Sequence, residues 1–246
     1  IHYTTENGLS NNSIFSVLED QEGIFWIGTL GGGLDALDRA TGRTMNYKFD
    51  PLNLESISNN KVWSIFEDKA STLWFTTSDG ISYFNRTIGK FVTHKVSQGE
   101  GGDANNSIFA VNEDHEGNIW VGVLGGGLNV FSRTDGRFVN ERFPSLNNPL
   151  LRFNNIFAIE EDRTGMLWIG TADGLISYDR KSGAVTQFRH NPSDKFSLSN
   201  NYVRCIKEDK SGTLWIGTHG GGLNAFDRTQ KKFKVYRNIP ADATSL

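Results

Sequence analysis

The 246-residue sequence has one cysteine, two methionines and five prolines. A lone thiol, Cys205, cannot form an internal disulfide and does not report a redox compartment. No run of 18 apolar residues occurs, so no segment reads as a membrane-spanning helix. No window shows sustained helical periodicity with caps. The formal net charge is −3, which gives no electrostatic reason to expect nucleic acid or an anionic membrane as a partner. Neither a signal peptide nor an initiator Met is visible. There is no P-loop, dinucleotide fingerprint or nucleophile elbow. His2, His94, His115, His190 and His219 fall at unrelated positions, and no pair has metal-ligand spacing. No catalytic residue, metal or cofactor is therefore expected.

What the chain does have is repetition. A Trp recurs at Trp26, Trp74, Trp120, Trp168 and Trp215, in steps of 48, 46, 48 and 47 residues. Six residues before each stands an Asp: Asp20, Asp68, Asp114, Asp162 and Asp209. An Asn keeps the same beat at Asn12, Asn60, Asn106, Asn154 and Asn201. A period near 47 marks a supersecondary unit that cannot bury its own faces and must stack on its neighbours.

Each unit reads as four short strands. In the first, residues 13–18 alternate apolar and small, and 20–23 form a turn closed by Gly. Residues 25–29, 34–38 and 44–49 follow as further strands. Ile14, Val62, Ile108, Ile156 and Val203 hold one position of the first strand. Small residues Ser16, Ser64, Ala110, Ala158 and Cys205 hold the next on that face, and Val17, Ile65, Val111, Ile159 and Ile206 hold the other. A sheet apolar on both faces is buried on both faces. The expected fold is all-β: a β-propeller of four-stranded antiparallel blades, five in this chain and part of a larger ring. The repeats run approximately 9–54, 55–102, 103–150, 151–196 and 197–240 within one domain over 1–246. Ile1-His2-Tyr3 aligns with the close of a fourth strand and the last residues align with the linker before a repeat, so the chain reads as a segment of a longer array. Cys205 reads as a buried small hydrophobe.

The run Leu9-Ser10-Asn11-Asn12 to Glu19-Asp20, then Phe25-Trp26-Ile27-Gly28-Thr29 and Gly31-Gly32-Gly33-Leu34, resembles the two-component regulator propeller repeat. The resemblance extends over all five copies, from Leu198-Ser199-Asn200-Asn201 through Leu223-Asn224-Ala225-Phe226-Asp227-Arg228 in the last. It implies the extracytoplasmic sensor region of a bacterial membrane receptor, with a histidine kinase or a diguanylate cyclase as output. It also implies an oligosaccharide ligand, a periplasmic or extracytoplasmic setting, and a homodimer formed through the parent receptor. The repeats depart from the pattern in places: Ala70-Ser71 replaces a turn Gly, Thr76 replaces another Gly, and Phe153 replaces the first Asn of a pair. A protein-interaction or dimerisation propeller without a small ligand is the alternative, and a propeller enzyme such as a lyase is the second alternative.

Meander parity separates two surfaces. Short regular turns follow strands one and three. Gly-rich loops, linkers and Asn pairs follow strands two and four, and this second surface is the expected ligand face. Residues that repeat in every blade solve a problem common to every blade. The Asn pairs thus read as backbone caps, the Trp as packing, and the Asp as a turn-former rather than half of a glycosidase pair. Candidate ligand contacts are the residues that break the pattern on this face. Arg204 stands where Phe15, Trp63, Phe109 and Phe157 stand. His219 lies beside a triple-Gly loop. Trp63 is an aromatic platform. Asp79, Asp173 and Tyr202 complete the set. Arg204 favours an acidic ligand, because guanidinium binds carboxylate or sulfate through a planar fork.

Overall fold

Period-two alternation between Gly- and Asp-bearing turns yields twenty strands among the described residues, arranged as five separate four-stranded antiparallel meanders. The computed structural model describes residues 2–96, 106–140, 144–152, 155–242 and 245–246. Ile1, Asn105, Phe153 and Asn154, all used in the repeat alignment, lie outside these residues. The first blade comprises β1 (Ile14–Glu19), β2 (Ile24–Thr29), β3 (Leu34–Asp38) and β4 (Arg43–Tyr47). The second holds β5 (Val62–Glu67), β6 (Leu73–Thr77), β7 (Gly80–Asn85) and β8 (Lys90–His94). The third holds β9 (Ile108–Glu113), β10 (Ile119–Val123), β11 (Gly127–Ser132) and β12 (Arg137–Phe138). The fourth holds β13 (Ile156–Glu161), β14 (Leu167–Thr171), β15 (Gly174–Tyr178) and β16 (Val185–Phe188). The fifth holds β17 (Val203–Glu208), β18 (Leu214–Thr218), β19 (Gly222–Asp227) and β20 (Lys232–Tyr236). The sequence alignment of five β-blades is thus the architecture observed.

The one helical interruption among the described residues follows the two-residue β12. A 3₁₀ turn, Pro144–Asn147, leads into the single-turn helix α1, Pro149–Arg152. Proline at a first helical position suits both, since its missing N–H has no intrahelical partner there. Asn148 caps α1 by accepting the Leu150 N–H at 3.0 Å.

The Asp–Trp spacing has a local cause. Asp20 Oδ1 accepts the N–H groups of Glu22 and Ile24, each at 2.9 Å, and closes the β1–β2 turn. Its Oδ2 accepts Trp26 Nε1 at 2.7 Å. Asp68, Asp114, Asp162 and Asp209 hold Trp74, Trp120, Trp168 and Trp215 in the same way. One carboxylate thus satisfies both a tight turn and a buried indole donor. The turn needs a left-handed residue before β2, supplied by Gly23 at φ +80° in blade one. Ser71 adopts φ +61° where blade two lacks the Gly.

The same carboxylates join blades. Arg86, leaving β7, reaches back to Asp20 at 2.9 Å. Arg133 pairs with Asp68 at 2.8 Å, and Arg180 and Arg228 pair with Asp114 and Asp162. Each Arg also meets a Glu that ends the inner strand of its own blade: Glu67, Glu113, Glu161 or Glu208. Apolar packing accompanies the clamps. Trp26, for example, is buried with Val62, Ile65, Leu73 and Phe75 of the following blade.

These clamps give stability a pH dependence. Burial of Asp162 opposes its ionisation, but hydrogen bonds from Thr164, Trp168, Arg228 and the Met166 N–H outweigh it and hold the carboxyl below its ordinary range. Asp20 is lowered in the same balance by Trp26, the Ile24 N–H and Arg86. A carboxyl lowered on folding contributes stability above its unfolded value, about 3.9, and loses it as pH falls through the folded value. Glu67, raised by burial and by Asp20, acts with the opposite sign. Asp38, Asp179 and Asp209 are lowered as well, chiefly by hydrogen bonds from neighbouring side chains and N–H groups, so the lowered carboxyls outnumber the raised one and acid is destabilising. Urea midpoints should therefore fall from about pH 5 downward, and Asp162→Asn should flatten that slope. An unchanged slope would remove Asp162 as a cause.

The inner strands pack in the order β1, β5, β9, β13, β17. Val17 of β1 is 57% exposed, whereas Ile65, Val111, Ile159 and Ile206 at the same position are 7–9% exposed. The five blades therefore form an open arc with a bare face at each end. Cys205, expected to be buried, is exposed. Its blade is the fifth, and among the described residues no blade lies over it.

Candidate functional site

Every inner strand carries a bulge at the same place. Ile14 pairs with Thr29 and Ser16 with Gly28, leaving Phe15 unmatched. The same slip leaves Trp63, Phe109, Phe157 and Arg204 unmatched in β5, β9, β13 and β17. Strict alternation would bury these side chains between blades beside Val17 and its equivalents. A bulge instead re-aims the extra residue. The re-aimed rings meet one another along the inner edge of the arc. Phe15 stands edge-on to Trp63 at 4.8 Å, and Trp63 stacks on Phe109 at 4.6 Å. Phe109 meets Phe157 edge-on at 5.5 Å, and Phe157 stacks on Tyr202 at 4.8 Å. The guanidinium of exposed Arg204 lies 5.1 Å from the Phe157 ring and 5.7 Å from the Tyr202 ring. His219 closes the line 5.7 Å from Tyr202.

Four of the six candidates, Trp63, Tyr202, Arg204 and His219, thus lie on one aromatic ribbon. Trp63 joins the other three through Phe109 and Phe157. Phe15 and Phe109 are half-open or partly buried rather than core, and sequence reasoning treated them only as consensus. Their signal was an aromatic residue at a strand position whose neighbours on both sides already face another blade. The Trp63 Nε1–H is buried and has no partner among the described residues, a donor set among the rings.

Asp79 and Asp173 stand apart, in the β6–β7 and β14–β15 turns. Asp79 is ion-paired with Lys95 at 2.7 Å, and Asp173 with Arg189. Gln187 Nε2 also donates to the Asp173 carbonyl at 2.7 Å. Both carboxylates are engaged within their own blades.

The Asn pairs serve the backbone. Asn11, Asn59 and Asn200 each accept the N–H two residues on, at 2.7, 2.9 and 2.8 Å. Asn60 accepts the N–H groups of Gly31 and Gly33 through its carbonyl and that of Phe49 through its side chain. Asn201 repeats this for Gly174 and His190. The pairs therefore bind the Gly loop of one blade to the start of the next.

A cavity of about 440 Å³ lies on the opposite, short-turn surface, between blades one and two. Trp26, Met45, Tyr47, Arg43, Glu22 and Arg86 are among its walls. A smaller groove of about 220 Å³ repeats it over Trp74, with Tyr83, His94 and Arg133. Burial holds the His94 imidazole below its ordinary range, so it is neutral near pH 7. The groove is a product of the blade repeat, whereas the ribbon ends in side chains that differ from blade to blade.

An open arc of four-stranded meanders with an axial aromatic ribbon and no helical layer defines a β-propeller repeat protein. Residues 8–31, 56–79, 102–125, 150–173 and 197–220 match the family model described as two component regulator propeller. The chain belongs to that family. It is similar to the extracellular domain of the hybrid two component system BT3049 from B. thetaiotaomicron, at 24% identity and a TM-score of 0.78 over 95% of this chain and 31% of that one. It is also similar to the extracellular domain of BT4673 from the same organism, at 21% identity and a TM-score of 0.76 over 94% and 32%. The chain spans about a third of the length of each of these domains. Virginiamycin B lyase from Staphylococcus aureus shares the fold at 15% identity and a TM-score of 0.68, over 97% of this chain and 74% of that one. A comparison with curated proteins finds no match.

Proposed function

We propose that this propeller is the extracytoplasmic ligand-sensing segment of a bacterial signal-transduction receptor, and that its ligand is an acidic oligosaccharide fragment. Membership of the two-component regulator propeller family supports the sensing role. Structural relatives that are extracellular domains support the setting. The observation that carries the ligand class is the ribbon from Trp63 to Arg204. Aromatic faces offer flat apolar surface to the C–H faces of sugar rings, and a guanidinium fork pairs with carboxylate or sulfate. The protein binds and reports rather than transforming its ligand, and its kinase or cyclase output belongs to the parent receptor. The likeness to a lyase is one of fold, which does not transfer an activity.

Isothermal titration with sulfated and uronic-acid disaccharides tests this reading. Arg204→Ala removes a charge-assisted contact of about 1.5–3 kcal/mol, so affinity should drop roughly 10- to 100-fold while folding stability stays unchanged. Equal affinity in the variant would discard the ribbon as the site. The cavity over Trp26 supports a second location, because its volume lies within the ordinary ligand range. There Arg43→Ala, not Arg204→Ala, would weaken binding. Failure of every glycan to bind would favour the protein-interaction propeller.

A further inference from the structure

The junctions between blades differ in what lies over the recurring tryptophan, and at one of them a turn of the chain itself does. Between blades three and four, Leu146 of the Pro144–Asn147 turn is 6% exposed and belongs to the cluster that holds Trp120, Val130, Val139 and Tyr178. Ser145 beside it hydrogen-bonds the Tyr178 hydroxyl. A Cβ on Gly183, in the β15–β16 turn, would meet Ser145 Oγ at 2.7 Å. The turn is therefore seated between the two blades, with its leucine inward.

Strand register locates the same seat between blades one and two. Ala36 pairs with Met45, as Val130 faces Val139, whose N–H donates to the Val130 carbonyl at 2.9 Å. Phe84 opposite Leu73 stands where Tyr178 stands opposite Leu167. Trp26, Ala36, Met45 and Phe84 are walls of the 440 Å³ cavity. Over Trp74 the place of Ala36 is taken by Tyr83, and the groove is only 220 Å³. The linkers that follow are equally long: twelve positions separate Met45 from buried Ile57, and Val139 from buried Leu151. Leu52 thus holds the place of Leu146, yet it is 94% exposed. Its linker is engaged elsewhere. Asp50 accepts the Leu52 N–H at 2.9 Å, Ser56 Oγ accepts the Asp50 N–H at 3.0 Å, and the Glu55 carbonyl accepts the Phe91 N–H of edge strand β8 at 3.0 Å. The linker from blade four to blade five takes the same path, with Ser197 Oγ accepting the Asn191 N–H and the Phe196 carbonyl accepting the Phe233 N–H. The cavity over Trp26 is therefore left open by its own linker. Its walls come from two complete four-stranded blades, so it does not arise from where the sequence begins or ends.

We propose that this cavity is the docking site for a leucine-bearing peptide turn of a partner protein, with an acidic residue beside the leucine. The leucine occupies the space over Trp26 and Met45 as Leu146 occupies it beside Trp120 and Val139, an aliphatic anchor in a pocket of ordinary ligand size. Phe84 lacks the hydroxyl by which Tyr178 holds Ser145, so serine is not selected next to the anchor. Charge selects instead. Of the two arginines in the walls, Arg86 is engaged by Asp20 and Glu22, whereas Arg43 is exposed and makes no ion pair among the described residues. A carboxylate complements it. Leu52 and Leu54, 94% and 92% exposed, follow the Tyr47 wall in sequence. Ser193 and Lys195 hold their places in the linker that makes the same turn, so the turn does not require leucine, and these side chains remain as apolar surface for the partner. The site is separate from the aromatic ribbon and does not rest on the glycan reading of it.

Two-dimensional NMR of the 246-residue chain tests the proposal, titrated with a synthetic peptide copying residues 144–152 and with the same peptide carrying Ser145→Asp. The Met45 methyl, one of two methionine methyls in the chain, and the Trp26 indole N–H should shift on titration to millimolar peptide. The Trp120 indole, whose seat is filled by Leu146, should not move. The aspartate peptide should bind about two- to fivefold tighter, as an exposed ion pair allows, and Arg43→Ala should erase that preference. A peptide with Leu146→Ala should not bind. In the protein, Ala36→Tyr should abolish binding by introducing the residue that blade two carries there. Met45→Glu, at an exposed position, does the same by charge if the tyrosine variant fails to fold. No shift at millimolar peptide, or equal shifts in both protein variants, overturns the proposal. So does contact between Leu52 and the Met45 methyl in the free chain, since the chain's own linker would then be the occupant. An acidic disaccharide that shifts these signals where the peptides do not would assign the cavity to sugar and overturn it as well.

Discussion

Trp168→Ala should lower folding stability by about 3–5 kcal/mol, the usual range for emptying a large aromatic site. The indole is buried between blades four and five. It lies against Phe226 at 5.2 Å and Phe188 at 6.0 Å, with Arg228 over its face at 5.8 Å. Removing it opens a cavity and deletes one of the two side-chain donors to Asp162 Oδ2, the indole N–H at 2.7 Å, leaving Arg228 as the other. Trp215 has the same local hydrogen bond to Asp209, but it is only partly buried. Among the described residues its sole ring neighbour is Tyr236, at 5.7 Å. Trp215→Ala should therefore be much milder. Urea denaturation of both variants measures the contrast. Equal losses would mean that the local turn, rather than packing between blades, sets the value of these tryptophans.

Arg180→Ala should be comparably severe, at about 3–5 kcal/mol, because it leaves buried charge without its partner. The Arg180 side chain is 7% exposed and pairs with Asp114 and Glu161, whose side chains are 0% and 10% exposed. It also contacts His115 Nδ1 at 3.0 Å. Arg180→Met separates packing from charge, since Met replaces most of the buried stem but none of the donors. A loss as large for Met as for Ala assigns the effect to the stranded carboxylates. A Met variant close to wild type would assign it to packing. Arg39→Ala, the same repeat position on exposed blade one, should leave the urea midpoint unchanged.

Much of this architecture was legible because its causes are local. Asp20 and Trp26 are six residues apart and joined by one side-chain hydrogen bond, so their spacing survives in every copy as a readable signature. Turn chemistry and alternation placed the strand ends within about two residues; β1, expected over 13–18, runs Ile14–Glu19. The Asn pairs were readable as backbone caps for the same reason, since Asn59 bonds to the N–H of Lys61. Of the candidate site, the odd positions Arg204, His219 and Tyr202 stood out as departures from a repeated background.

What could not be read depends on which blade lies against which. Arg86 and Asp20 are 66 residues apart, and nothing in either segment announces the pairing. The bulge at Phe15, Trp63, Phe109, Phe157 and Arg204 obeys no composition rule, because it relieves a mismatch between strands and appears only once they are paired. Alternation alone would have hidden those rings, and it left Asp79 and Asp173 looking free when Lys95 and Arg189 hold them. Ala110 and Cys205 occupy one repeat position, yet the first is 4% exposed and the second is exposed. The sequence by itself determined the blade, its strands and its turns, since these rest on contacts within a few tens of residues. Tertiary structure alone decided which faces are buried, which carboxylates are paired and where the aromatic residues meet, since a blade's faces are covered only by other blades.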